Sequence, residues 1–156
     1  MAKLVRFLGL LAIGLALATG PAMAAGGGSK AAPPDPNYAK ARALIDAGSY
    51  GDAIPFLEKA VTANPKSADA YNYLGYSHRK IGQIDAALEN YRRALELQPK
   101  HLGANEYLGE LYLELGELAK AEERLDVLDD ACFFGCEEYS ELKELIKDYK
   151  KRQGAS

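Results

Sequence analysis

The stretch ADAYNYLGYSHRKIGQIDAALENYRRALELQPKH, residues 68–101, is 34 residues long, and its punctuation returns on both sides of it at that interval. Gly82 recurs as Gly48 and Gly116, Ala87 as Ala53 and Ala121, Pro99 as Pro65, and Gly75 as Gly109. A constant period of this length, with helix-forming residues between glycine and proline stops, predicts stacked helix-turn-helix units. Each marker has a physical task. Gly82 and Gly116 end the first helix of a pair by taking a left-handed conformation. Gly75 and Gly109 carry no side chain, so a neighbouring helix can approach closely, and Ala87, Ala94 and Ala121 do the same for the second helix. Pro65 and Pro99 stop that second helix and redirect the chain.

The residues carrying this pattern resemble the tetratricopeptide-repeat family. The middle unit matches the family signature at Tyr71, Leu74, Gly75, Gly82, Ala87, Tyr91, Ala94 and Pro99. The third unit matches at Leu108, Gly109, Tyr112, Gly116, Ala121 and Leu125, and the first at Gly48, Ala53, Leu57, Ala60 and Pro65. The first unit departs at Lys40 and Ala41, where the family prefers Leu and Gly. It departs again at Pro55, which removes a ladder hydrogen bond and predicts a weak start or a bend in that helix. The resemblance implies an all-α, right-handed superhelix over residues 37–152, built of three units at about 34–67, 68–101 and 102–135 and a capping helix at about 137–152. Carrying the frame further places Tyr139, Leu142 and Ile146 where Tyr71, Leu74 and His78 stand. Lys143 and Lys150 then occupy the positions of Gly75 and Gly82, as suits a solubilising first helix without a second.

Upstream of the repeats the chain changes character. Lys3 and Arg6 precede an apolar run from Phe7 to Ala18, and Ala22-Met23-Ala24 supplies a small-x-small cleavage site. This predicts a secretory signal peptide over residues 1–24, cut after Ala24. About a dozen apolar residues are too few for a transmembrane anchor, which needs about 20, and no Cys follows the cut to carry a lipid. Residues 25–36 read as a Gly/Ala/Pro tether, with order beginning at Asp35 as N-cap and Pro36 in the first helical position. The expected location is therefore the periplasm. The whole chain has a formal charge of −3 and a pI near 5.5, which argues against a nucleic-acid partner.

Cys132 and Cys136 form a C-x3-C pair between the third unit and the cap. In an exported protein such a pair predicts a disulfide. The alternative is a periplasmic redox or metal-handling protein using the two thiols, with soft copper as the candidate metal. No nearby His or Met completes a ligand set, and a thioredoxin-like role would need C-x-x-C on a βαβ frame. His78 is expected to pack as a hydrogen-bonded inter-helix residue, and His101, near an N-cap, to be solvated. With no nucleophile motif and no phosphate loop, neither enzymatic activity nor a cofactor is expected.

First helices of the resembled family line a concave groove, so the candidate partner-binding residues lie there. They are Tyr38 and Arg42 in the first unit, Asn72, Tyr73, Tyr76 and Lys80 in the second, and Glu106, Tyr107, Glu110 and Glu114 in the third. The two-Lys, two-Asn, Arg clamp of chaperone-binding members is absent, since the matching positions hold Tyr38, Arg42, Tyr73, Gly103 and Tyr107. Residues 35–101 carry 9 Lys+Arg against 8 Asp+Glu, whereas 102–148 carry 4 against 14. The expected function is a non-catalytic module that holds a peptide or helix of a partner protein, one bringing a basic segment. Self-assembly through the array ends is a further option. Like charges at i,i+4 repel, so replacing Glu106, Glu110 and Glu114 by Gln is expected to leave the fold intact or slightly more stable.

Overall fold

A computed structural model describes residues 35–154. The expected signal peptide and nearly all of the tether lie outside the described residues. Seven helices are found among those described: α1 (Pro36–Asp46), α2 (Tyr50–Ala63), α3 (Ala68–Lys80), α4 (Ile84–Leu97), α5 (Leu102–Glu114), α6 (Leu118–Ala131) and α7 (Glu137–Arg152).

The helix boundaries follow from local chemistry. The Asp35 carboxylate accepts from the backbone N–H groups of Asn37 and Tyr38 at 2.8 and 3.0 Å, satisfying two donors that the first turn leaves free. Gly82 has φ +79°, and beyond it the N–H of Gln83 reaches back to the carbonyl of His78 at 2.9 Å while Gly82 N–H reaches Arg79 at 3.0 Å. This paired closure satisfies the last carbonyls of α3. The same two bonds close α1 around Gly48 and α5 around Gly116. The helix α2 runs unbroken through Pro55. Proline lies only six residues in, so one hydrogen bond, to Gly51, is forgone in a turn that is already half outside the ladder.

Helices pair as α1 with α2, α3 with α4 and α5 with α6, and each pair stacks on the next. Close approach is visible at Gly75, where an added Cβ would lie 2.8 Å from the Tyr91 ring of α4. At Gly109 it would lie 2.5 Å from Leu142 of α7. Leu74, Leu108 and Leu142, spaced by the repeat, are all buried, as are Ala53, Ala87 and Ala121. Ile146 is buried beside Leu142, so α7 docks on α5 and α6 as a first helix does. The first helices α1, α3, α5 and α7 touch their neighbours in succession, whereas α2, α4 and α6 do not pack on one another. The array therefore curves with the first helices inside, as an all-α helical-repeat superhelix.

Candidate partner-binding groove

Because α1, α3 and α5 line the inner face, side chains one turn apart on each helix align across units. Tyr38 stands edge-on to Tyr73 with ring centroids 6.0 Å apart, Tyr76 lies 4.8 Å from Tyr107, and Tyr50 meets Tyr76 at 5.7 Å. The Arg42 guanidinium sits 4.2 Å over the Tyr73 ring, and Lys80 nitrogen 5.1 Å over Tyr76. All these tyrosines are half-buried, so each keeps an open edge while its body is fixed by packing. Burial, with Tyr50 and Glu110 beside it, pushes the Tyr76 phenol up to about 12. The phenol stays a neutral donor at ordinary pH.

The acidic side departs from the expected row of free carboxylates. The Arg79 guanidinium lies 2.6 Å from Glu110 and 2.5 Å from Glu114, with only 7% of its side chain exposed. Burial works against the arginine charge, but Glu114 and Glu110 outweigh it and raise its pKa further. Glu106 is only 4% exposed. Its burial, a hydrogen bond with Glu141 of the cap and the charges of Glu110 and Glu138 push its carboxyl up to about 9. At neutral pH the Glu106–Glu141 pair holds a proton. The three glutamates are therefore not three free charges: two are bonded to a buried cation, and one, repelled by Glu110, is held protonated. The expectation that Gln at all three positions would spare the fold is corrected accordingly.

Asn72 is 3% exposed, and its Oδ1 has no hydrogen-bond partner within the protein. It lines a recess of about 330 Å³ together with Tyr73, His101, Glu106, Tyr107 and Glu138. A second recess of about 270 Å³ adjoins it through Glu106, Tyr107 and Glu138 and is walled by Glu141. His101 is buried, not solvated. Its Nδ1 accepts from the Ala104 N–H at 3.1 Å as an N-cap, which places the proton on Nε2, 2.9 Å from Asp69. The ring thus joins α5 to α3. His78 is half-buried and bonds Gln83 at 2.6 Å, at the turn that closes its own helix.

Of the residues read from sequence, Tyr38, Arg42, Tyr73, Tyr76, Lys80 and Tyr107 form one continuous aromatic and cationic strip. Glu110 and Glu114 join Arg79, and Asn72 and Glu106 lie beneath the strip in the recess. Missed were Asp69, at the start of α3, and Glu138 and Glu141 of α7, whose contacts with the site arise only through stacking. Cys132 and Cys136 are bridged. Among the described residues no group of three or more His, Cys, Asp or Glu is arranged to hold a metal ion, and no helix is long and apolar enough to cross a membrane.

Stacked helical hairpins with a polar, tyrosine-lined inner face define a helical-repeat scaffold. The chain belongs to the tetratricopeptide-repeat family, and the family model described as "Anaphase-promoting complex, cyclosome, subunit 3" matches residues 37–128. Cellulose synthase operon protein C of Escherichia coli (strain K12) is 40% identical over 57 residues, 36% of this chain and 5% of that protein. The match thus spans a small fraction of that relative's length. Among solved structures, MamA superposes with a TM-score of 0.67 at 26% identity, over 76% of this chain and 67% of that one. The Yersinia enterocolitica type III secretion chaperone SycD, in complex with a peptide of the translocator YopD, gives 0.63 at 22% identity, over 74% and 88%.

Proposed function

We propose that the chain is a non-catalytic interaction module that works in the periplasm and holds a peptide or a helix of a partner protein against its inner face. The observation that carries this reading is the buried Asn72 carbonyl oxygen, unpartnered at the foot of a tyrosine strip. A buried acceptor without a donor is costly to a fold that gains nothing from it. Glu138, which lines the same recess and is in no ion pair among the described residues, is also an acceptor. A partner amide or ammonium supplies what they lack, which favours a segment with Lys or Arg, while tyrosine rings give contact area at small entropic cost. A peptide-bound structure of the same architecture supports the mode of binding. The periplasmic part rests on residues 1–24 and on the C-x3-C pair.

A photo-reactive group in place of Tyr76 should crosslink a defined protein in intact cells, at a segment rich in Lys or Arg. The same group in place of Glu89, exposed on α4, should not. Equal capture at both positions, or none at Tyr76, refutes the groove as the binding face.

A further inference from the structure

The final connection breaks the pattern of the earlier ones. Phe133 stands in the frame position of Pro65 and Pro99. The turn from Cys132 to Cys136 is closed by the disulfide, and Gly135 turns it with φ +84°. Phe133 and Phe134 are 90% and 96% exposed, and their rings pack only on each other, edge to face at 5.1 Å. Folding gains nothing from two aromatic rings held out in water by a covalently closed turn. Asp129 and Asp130 precede this knob and Glu137 and Glu138 follow it, and none of the four is in an ion pair among the described residues. The knob is apolar at its tip and anionic at its base.

A surface of the opposite design lies on the same chain. A groove of about 590 Å³ has Leu125 and Ile146 in its floor and Lys143, Lys147, Lys150 and Lys151 along its rim. Lys143 holds the position at which Gly75 receives the Tyr91 ring, so the groove occupies the slot that a second helix fills in the earlier units. Lys147 pairs with Glu144 at 2.9 Å and Lys150 with Glu122 at 2.5 Å, while Lys151 has no carboxylate partner among the described residues. The knob cannot reach the groove of its own chain. The disulfide fixes the knob at the start of α7, and Lys147 lies about 16 Å further along the helix axis at 1.5 Å per residue.

We infer that Phe133 and Phe134 of one copy seat in the Leu125–Ile146 groove of a second copy, with the acidic base of the knob against the lysine rim. Apolar tip meets apolar floor, and anionic base meets cationic rim. An anionic membrane surface would repel the same four carboxylates. The disulfide has a role in this contact, because it holds the two rings in the presenting turn and removes the ordering that a free loop would need on binding. A reciprocal contact closes a dimer, and a one-sided contact builds a longer chain.

The test is sedimentation of the purified full chain over a range of concentrations. Mass should rise with concentration, and reduction of the disulfide should weaken association several-fold. Phe133→Ser with Phe134→Ser should hold the protein monomeric, as should Lys147→Glu with Lys151→Glu, each with helical circular dichroism unchanged. An equimolar mixture of the two variants retains one knob and one groove, and should form a one-to-one pair that neither forms alone. A chain monomeric at every concentration, association that survives either variant, or a mixture that stays monomeric overturns the inference. So does Phe-dependent binding to phosphatidylglycerol vesicles without self-association, which would assign the knob to a membrane.

Discussion

Arg79 in α3 places its guanidinium 2.6 Å from the Glu110 carboxylate in α5, one unit further on, where it is nearly shut off from water. With Glu114 as second partner, this pair fastens the inner helices of two units together. Removing both acids strands a buried cation, so Glu110→Ala with Glu114→Ala should cost about 3–5 kcal/mol. Arg79→Met leaves carboxylates that can turn to water, and should cost less. Urea unfolding of the variants decides it: two equal, small losses would show that the pair is a surface bridge of little weight.

Glu106 should make stability fall as pH rises. Its carboxyl titrates near 9 in the folded chain against 4.5 as its ordinary value, so between those limits the folded state holds a proton that the unfolded state has lost. The slope of unfolding free energy with pH is negative wherever the folded state binds more protons. Glu106→Gln removes this titration and mimics the protonated form. The variant should gain on the wild type steadily from pH 5 to 9, reaching about 1 kcal/mol or more, since a tenfold difference in proton affinity between the two states corresponds to about 1.4 kcal/mol. Parallel urea midpoints across that range would contradict the protonated pair.

Glycine substitutions should separate by what lies above them. Gly75→Ala drives a methyl group to 2.8 Å from the Tyr91 ring and should cost about 1–3 kcal/mol. Gly51, helical and with nothing within 4 Å, should accept Ala with a gain of up to about 1 kcal/mol. Thermal unfolding of both variants tests the contrast, and a stabilised Gly75→Ala would mean that the helices are not in close contact there.

Reducing the disulfide should loosen the end of the array first. Closing a five-residue loop is worth roughly 2 kcal/mol in the chain-entropy account, and α7 is held from one side only, by α5 and α6. Amide exchange should quicken in α7 and at the end of α6 and stay unchanged in α3 and α4. Uniform acceleration, or none, would remove the staple from the account of the cap.

The repeat was legible because its markers act locally. A left-handed glycine after α3, a buried alanine at each crossing and a proline after α4 can be read at fixed spacing without knowing what packs on them. The same holds for the tyrosines of the inner face, where Tyr73 and Tyr76 lie one turn apart on α3 and Tyr73 recurs as Tyr107 one repeat later. Charges were misread where their partners arrive from another helix. Arg79 meets Glu114 across 35 positions and His101 meets Asp69 across 32, while Glu106 is buried by the cap's own Glu141. Periodicity gives the direction in which a carboxylate points. It does not give its protonation, which depends on the water removed by the next helix to dock.

The inner helices touch in succession while α2, α4 and α6 do not, and this makes the array an asymmetric spring. Flexing about the inner line breaks no contact among α2, α4 and α6 themselves, and loads instead the packing of each on the first helix of the next unit, α2 on α3, α4 on α5 and α6 on α7. Each hairpin remains stiff, locked by contacts such as Tyr91 on Gly75. Small rotations shared among the units can therefore change the width of the inner face to suit the girth of what it grips, without melting any helix.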